Sequence, residues 1–198
     1  MKNEAMACLQ NAGARKEEFE KVLAAAREGS IPKDGKELLE KSRGLAPAKD
    51  SRQLFEYLPF RMVCETQYGK KEGYQEILKQ FRQIKERDFD RMLQGTLAGE
   101  TDECRNMAWF LAACVDTLEF TSMEIYEQYR YLADLIRASV HSLAEQSWEK
   151  RDLRGMDRET AGLFAASVLK ACDLNVLLAE KYEKIGRALL AYSRNSSL

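Results

Sequence analysis

Three times along this chain a segment that is apolar nearly all the way round is followed by one that is apolar on a single side. AWFLAACVDTL and TAGLFAASVLKAC are of the first kind, and LFEYLPFRMVC is a looser version of it. A helix of that composition has to be enclosed by neighbours on most of its surface. In the second kind, Tyr74, Ile77, Leu78, Phe81 and Ile84 recur at helical spacing while Gln75, Glu76, Lys79, Arg82 and Gln83 fill the opposite face. Ile125, Tyr129, Leu132, Ile136, Val140 and Leu143 repeat the pattern, and so do Tyr182, Ile185, Leu189 and Tyr192. Each describes an outer helix with one side on a core. Only three prolines interrupt the chain, so long helices are permitted almost everywhere.

The order is inner then outer: 51–68 with 72–88, 102–120 with 123–146, and 158–173 with 179–194. Short polar connections such as YGKKEG and EFTSME suit antiparallel neighbours, so the pattern predicts an all-α protein of stacked αα-hairpins, a toroid or a solenoid. Leu111, Cys114, Val115, Leu118, Leu163, Phe164, Val168 and Leu169 are expected in one continuous core. Ahead of the hairpins, a helix is expected from Glu4 to Arg27, then a loop region over 29–50 that holds two of the prolines. The N-terminal helix has too little to bury alone and is expected to dock on the rest. A single helical domain over 1–198 follows, with 1–28 its N-terminal helix, 29–50 its loop region and 51–194 its hairpins.

Thirty-one basic residues balance 32 acidic ones, which leaves no whole-chain field to draw in nucleic acid or an anionic membrane. The charged opening MKNEAMACLQNAGARKEEFEK lacks the apolar core of a secretory segment, and no apolar run approaches spanning length. The expectation is a soluble, cytoplasmic protein. Cys8, Cys64, Cys104, Cys114 and Cys172 form no CxxC pair and sit mostly among apolar neighbours, as structural thiols do. His141, the single histidine, has no partner at ligand spacing, and neither a metal nor another cofactor is implied.

The segments LPFRMVCETQYGKKEGYQEILKQF, RNMAWFLAACVDTLEF and RETAGLFAASVLKACDLNVLLAEKYEKIGRALL, in this order and spacing, resemble the unsaturated glucuronyl and rhamnogalacturonyl hydrolases over about residues 52–192. The resemblance implies the six-hairpin glycosidase fold, an (α/α)6 barrel. Because 198 residues are too few for six hairpins of that size, it implies a partial barrel here. It also implies a uronic-acid-containing oligosaccharide as ligand, with Arg105 and Trp109 at the Arg and Trp of the family's Arg-Gly-x-Gly-Trp stretch, and Arg52 beside them in the binding set.

Catalysis in the family adds water across the double bond of an unsaturated uronic acid, which needs a positioned acid and base. The sequence departs from the pattern at those points. Arg52 and Glu56 stand where the family has an aspartate and a methionine, Asn106 and Ala108 replace the two glycines, and DFDRMLQGTLAGETDE is a short loop lacking the family's His-x-Trp-Asp. The carboxylates left as catalytic candidates are Asp50, Glu100 and Asp102, the last two also being natural capping residues of the following helix. Impaired hydrolysis with retained sugar binding is the expectation; the alternative is a helical homo-oligomeric interaction module, in which Arg105 and Trp109 serve packing. An open ring would also expose Phe55, Met62, Leu163 and Phe164 on its end helices, and a homodimer is expected to cover them.

Overall fold

The computed structural model describes residues 71–121, 126–143 and 156–194, together with positions 55, 58, 59, 61, 62 and 65. The expected N-terminal helix, the 29–50 region, Asp50 and Arg52 lie outside the described residues. Among the described residues every regular element is helical: α1 (Lys71–Ile84), a π-helical turn (Lys85–Phe89), α2 (Asp90–Ala98), α3 (Thr101–Glu119), α4 (Tyr126–Leu143), α5 (Arg158–Asp173) and α6 (Glu180–Arg194). The all-α expectation holds. None of these helices is long and apolar enough to cross a membrane.

The two kinds of helix behave as their compositions require. Ile77, Leu78, Phe81 and Ile84 of α1 are buried while Gln75, Glu76, Lys79, Arg82 and Gln83 face water. Leu132, Ile136 and Val140 of α4, and Ile185 and Leu189 of α6, are buried in the same way. By contrast α3 buries Cys104, Met107, Ala108, Phe110, Leu111, Ala113, Cys114, Val115, Thr117 and Leu118, because it packs against α2, α4 and α5 together. At its centre the Phe110 ring meets Phe55, Phe81 and Phe89 edge-on, with centroids 5.7, 6.3 and 5.7 Å away.

Helices α3 and α5 run parallel, since Arg105 near the start of α3 pairs with Asp157 at the start of α5, and Asp116 near the end of α3 pairs with Lys170 near the end of α5. Helix α6 returns antiparallel over α5: a Cβ on Gly162 would meet Ser193, and one on Gly186 would meet Leu169 and Val168. Gly186 permits that close crossing, its added methyl falling 2.8 Å from Leu169 Cγ.

Three expectations need correction. The helix expected over 72–88 does not give way to a loop: it passes through the π turn and continues to Ala98, stopping at Gly99, whose φ of 81° is left-handed. The inserted residue is the reason. Unbroken α-helical spacing from Ile84 would turn Asp88 and Arg91 to the core, whereas the turn brings Phe89 and Met92 there instead. Second, Phe55, Met62 and Phe164 are 4 %, 0 % and 3 % exposed and Leu163 is half-buried against the core, so the apolar flank from which a homodimer was expected is not in water. Third, of the expected core, Leu111, Cys114, Val115, Leu118, Phe164 and Val168 are buried together, but Leu169 is only partly so, lying over Gly186.

Phe110 is the residue on which this packing converges. Phe110→Ala removes a fully buried ring with three aromatic neighbours, and a loss of about 3–5 kcal/mol in unfolding free energy is expected by chemical denaturation, with secondary structure retained in the folded fraction.

Candidate functional site

Enclosure on three sides confines the charged residues of α3 from Arg105 onward to one stripe. Arg105, Trp109, Ala112 and Asp116, spaced by four, three and four, lie on one face and are the positions there that keep partial access to water. Beside them α5 presents Glu159, Leu163, Ala166 and Lys170 at corresponding spacing. The two stripes form a shared surface, closed at each end by charge.

At the N-terminal end Asp157 serves both helices. As N-cap of α5, its Oδ1 accepts from the Thr160 backbone N–H at 2.8 Å, and its Oδ2 accepts from Arg105 Nη2 at 2.8 Å. The amide bond first, and the guanidinium second, hold the Asp157 carboxyl down to about 2. The same bond to Asp157 raises the pKa of Arg105. Among the described residues Nη1 of Arg105 reaches only Asp102, at 3.5 Å, and its Nε has no protein partner. At the other end Lys170 Nζ lies between Asp116 at 2.6 Å and Glu119 at 2.5 Å. Trp109 stands between the two charged ends, packed on the core along part of its ring.

Of the residues singled out in the sequence, Arg105 and Trp109 therefore do share a face, one turn apart. The carboxylates do not assemble beside them. Asp102 is 91 % exposed and touches the face only through its long contact with Arg105. Glu100 is the N-cap of α3 without a side-chain capping bond, and its Oε2 is turned toward α2, 3.0 Å from where a Gly95 Cβ would stand. Glu103 is held by Arg91 and by Asn106 Nδ2 at 3.4 Å. Asp157 was missed, although Asp157 three positions before Thr160 at the start of an apolar run is a legible capping signal. Its partner 52 residues away is not legible.

Chemically the face can hold hydrogen-bonding groups and stack on an apolar surface, but it cannot readily deliver a proton. A carboxyl whose pKa is about 2 is ionised at neutral pH. Burial pushes the Cys114 thiol well above its ordinary value, and burial also raises Cys104 and Cys172, which suits structural thiols and not nucleophiles. Among the described residues no three of His, Cys, Asp and Glu converge as a metal ion would require. Comparison with protein-family models, with curated proteins and with solved structures returns no match.

Asp157 ties helix capping to interhelical pairing, and two substitutions separate them. Asp157→Ala removes both and is expected to cost about 0.5–2 kcal/mol near neutral pH, while Asp157→Asn keeps a capping oxygen and loses less. The folded-state pKa lies below the unfolded value, so the stabilisation is full above about 4 and fades as pH falls toward 2. Unfolding free energies measured across that range should show wild type and Asp157→Ala converging in acid.

Proposed function

We propose that this protein is a relative of the unsaturated glucuronyl and rhamnogalacturonyl hydrolases whose helices form part of an (α/α)6 ring that binds a uronic-acid-containing oligosaccharide and does not hydrolyse it. The observation that carries the reading is the shared face of α3 and α5. Parallel inner helices joined through an outer return helix are the repeating arrangement of an αα-toroid, and a ligand of such a ring lies against its inner helices.

The chemistry of the face fits a sugar acid. Trp109 offers an aromatic surface to the apolar side of a pyranose ring, and the unclaimed Nε of Arg105 is a donor for a carboxylate. Asp157 keeps the guanidinium in place while the Asp116–Lys170–Glu119 cluster offers further acceptors and donors to hydroxyl groups. The same facts argue against turnover. Protonating an enol ether needs an acid that still holds its proton near neutral pH, and the one carboxyl bonded to Arg105 at close range is ionised. Asp102, the nearest alternative, is surrounded by water.

Titration with an unsaturated uronic disaccharide tests the reading. Thermal unfolding should shift upward with ligand, by the equivalent of about 2.7 kcal/mol when the free ligand is a hundredfold above Kd, and the shift should disappear in Trp109→Ala. Absorbance of the unsaturated bond should stay constant. No thermal shift at any concentration would remove sugar binding, and turnover that vanishes in Asp102→Asn would restore catalysis.

A further inference from the structure

A concave surface lies between α4, the turn after α5 and the start of α6, lined by none of the residues of the shared α3–α5 face. The chain leaves α5 through a turn in which the Leu174, Asn175, Val176 and Leu177 amides bond back to the carbonyls of Lys170, Cys172 and Ala171, with Asn175 at φ 58°. That turn buries Val176 and Leu177 and leaves Leu178 79 % exposed. Helix α4 crosses it, anchored by Tyr129 hydroxyl to Leu174 O at 3.5 Å and Arg137 Nε to Val176 O at 3.1 Å. Between α4, the turn and the start of α6 a groove of about 380 Å³ remains, within the size range of small-molecule sites.

Its lining is divided. Val176, Leu177, Leu178 and Ala138 supply the apolar part, and Arg137, His141 and Tyr182 the polar part. Arg137 spends Nε on Val176 O and Nη1 on Asp134 at 2.9 Å, and its Nη2 is claimed by no protein group among the described residues. The Tyr182 hydroxyl and His141 Nδ1 share a 3.3 Å hydrogen bond, and Lys181 lies 5.1 Å over the Tyr182 ring. Among the described residues Arg130 and Arg137 both pair with Asp134, while Glu180 and Glu183 pair with Lys184 and Arg187.

We propose that this groove binds a small amphipathic carboxylate, an acid group on an aromatic or branched apolar body. The carboxylate takes the Arg137 Nη2 donor beside Tyr182, and the apolar body lies on Val176 and Leu177 with Leu178 as its outer wall. A guanidinium N–H left over at the edge of an apolar groove selects this class, because a carboxylate adds a charge-assisted hydrogen bond that a neutral ligand lacks, and a purely polar anion makes no use of the apolar wall. Leu178 gives the wall a reason to be apolar at a position that otherwise faces solvent.

His141 is the only histidine in the chain, so its ring signals in the NMR spectrum of the full-length protein report on the groove without assignment of the rest. Phenylacetate is expected to shift those signals saturably at millimolar concentration or below. Phenylacetamide, the same body without charge, should bind about tenfold or more weaker, the equivalent of one charge-assisted hydrogen bond, and Arg137→Gln should weaken phenylacetate to a similar extent. Leu178→Glu, at an exposed position that cannot harm the fold, should weaken it as well while leaving the thermal midpoint unchanged. Absence of a saturable shift, equal binding of acid and amide, or full affinity in both variants would each overturn the proposal.

Discussion

Enclosure of α3 is the constraint from which the remaining features follow. A helix covered by α2, α4 and α5 has no room for charge except along the stripe its neighbours leave open, and every charged side chain from Arg105 to Glu119 is found there. Small residues elsewhere on the helix, Ala108 and Ala113 among them, allow the neighbours to come close, and Phe110 fills the space that three other aromatic rings leave. The candidate binding surface is therefore a consequence of packing: polar groups are concentrated on one face because they are excluded from the others.

Parallel alignment of α3 and α5 carries an electrostatic cost that the ion pairs offset. Two helices side by side in the same direction place like ends of their macrodipoles together. The positive ends meet where Asp102, Glu103, Asp157 and Glu159 lie, and the negative ends meet where Lys170 stands between the helices. Asp157 and Lys170 each oppose the partial charge of both helix ends at once. Arg105 is unfavourably placed near a positive end by itself, and its bond to Asp157 turns that position into a link between the helices. Exposed ion pairs contribute little to stability in general, so these two are better regarded as fixing direction and register.

The hairpin pattern could be read from the chain because burial on one side and burial on all sides leave different periodicities in a sequence. The bounds of α5 and the buried positions of α1 followed directly. The segment 88–98 was hidden because its glycine and its run of polar residues resemble a loop, and because its apolar positions are out of phase with those before it. Gly95 is not a terminator there; it lets Glu103 pack against α2, where a Cβ would fall 2.5 Å from that side chain, and Thr96 bonds back to Met92 O at 2.7 Å within the helix. Of the face itself, Arg105 and Trp109 were visible as a pair one turn apart, but Asp157 and Lys170 enter it from another helix, and long-range pairing has no signature in a single sequence. Burial of Phe55 and Met62 was misjudged for a related reason, since an edge in a schematic ring is covered as soon as side chains fill the space.

The π turn at Lys85–Phe89 also divides α1 and α2 mechanically. Its wider ring of hydrogen bonds interrupts the ladder that would otherwise make residues 71–98 one stiff rod, so bending and fraying on one side need not propagate to the other. Winding all of these residues as an α-helix would carry Asp88 and Arg91 toward the core, whereas removing one residue within the turn would restore a straight rod with Phe89, Met92 and Thr96 still on the buried face. With this number of residues between Ile84 and Phe89 an unbroken α-helix and an unbroken buried face cannot coexist, and the chain keeps the buried face.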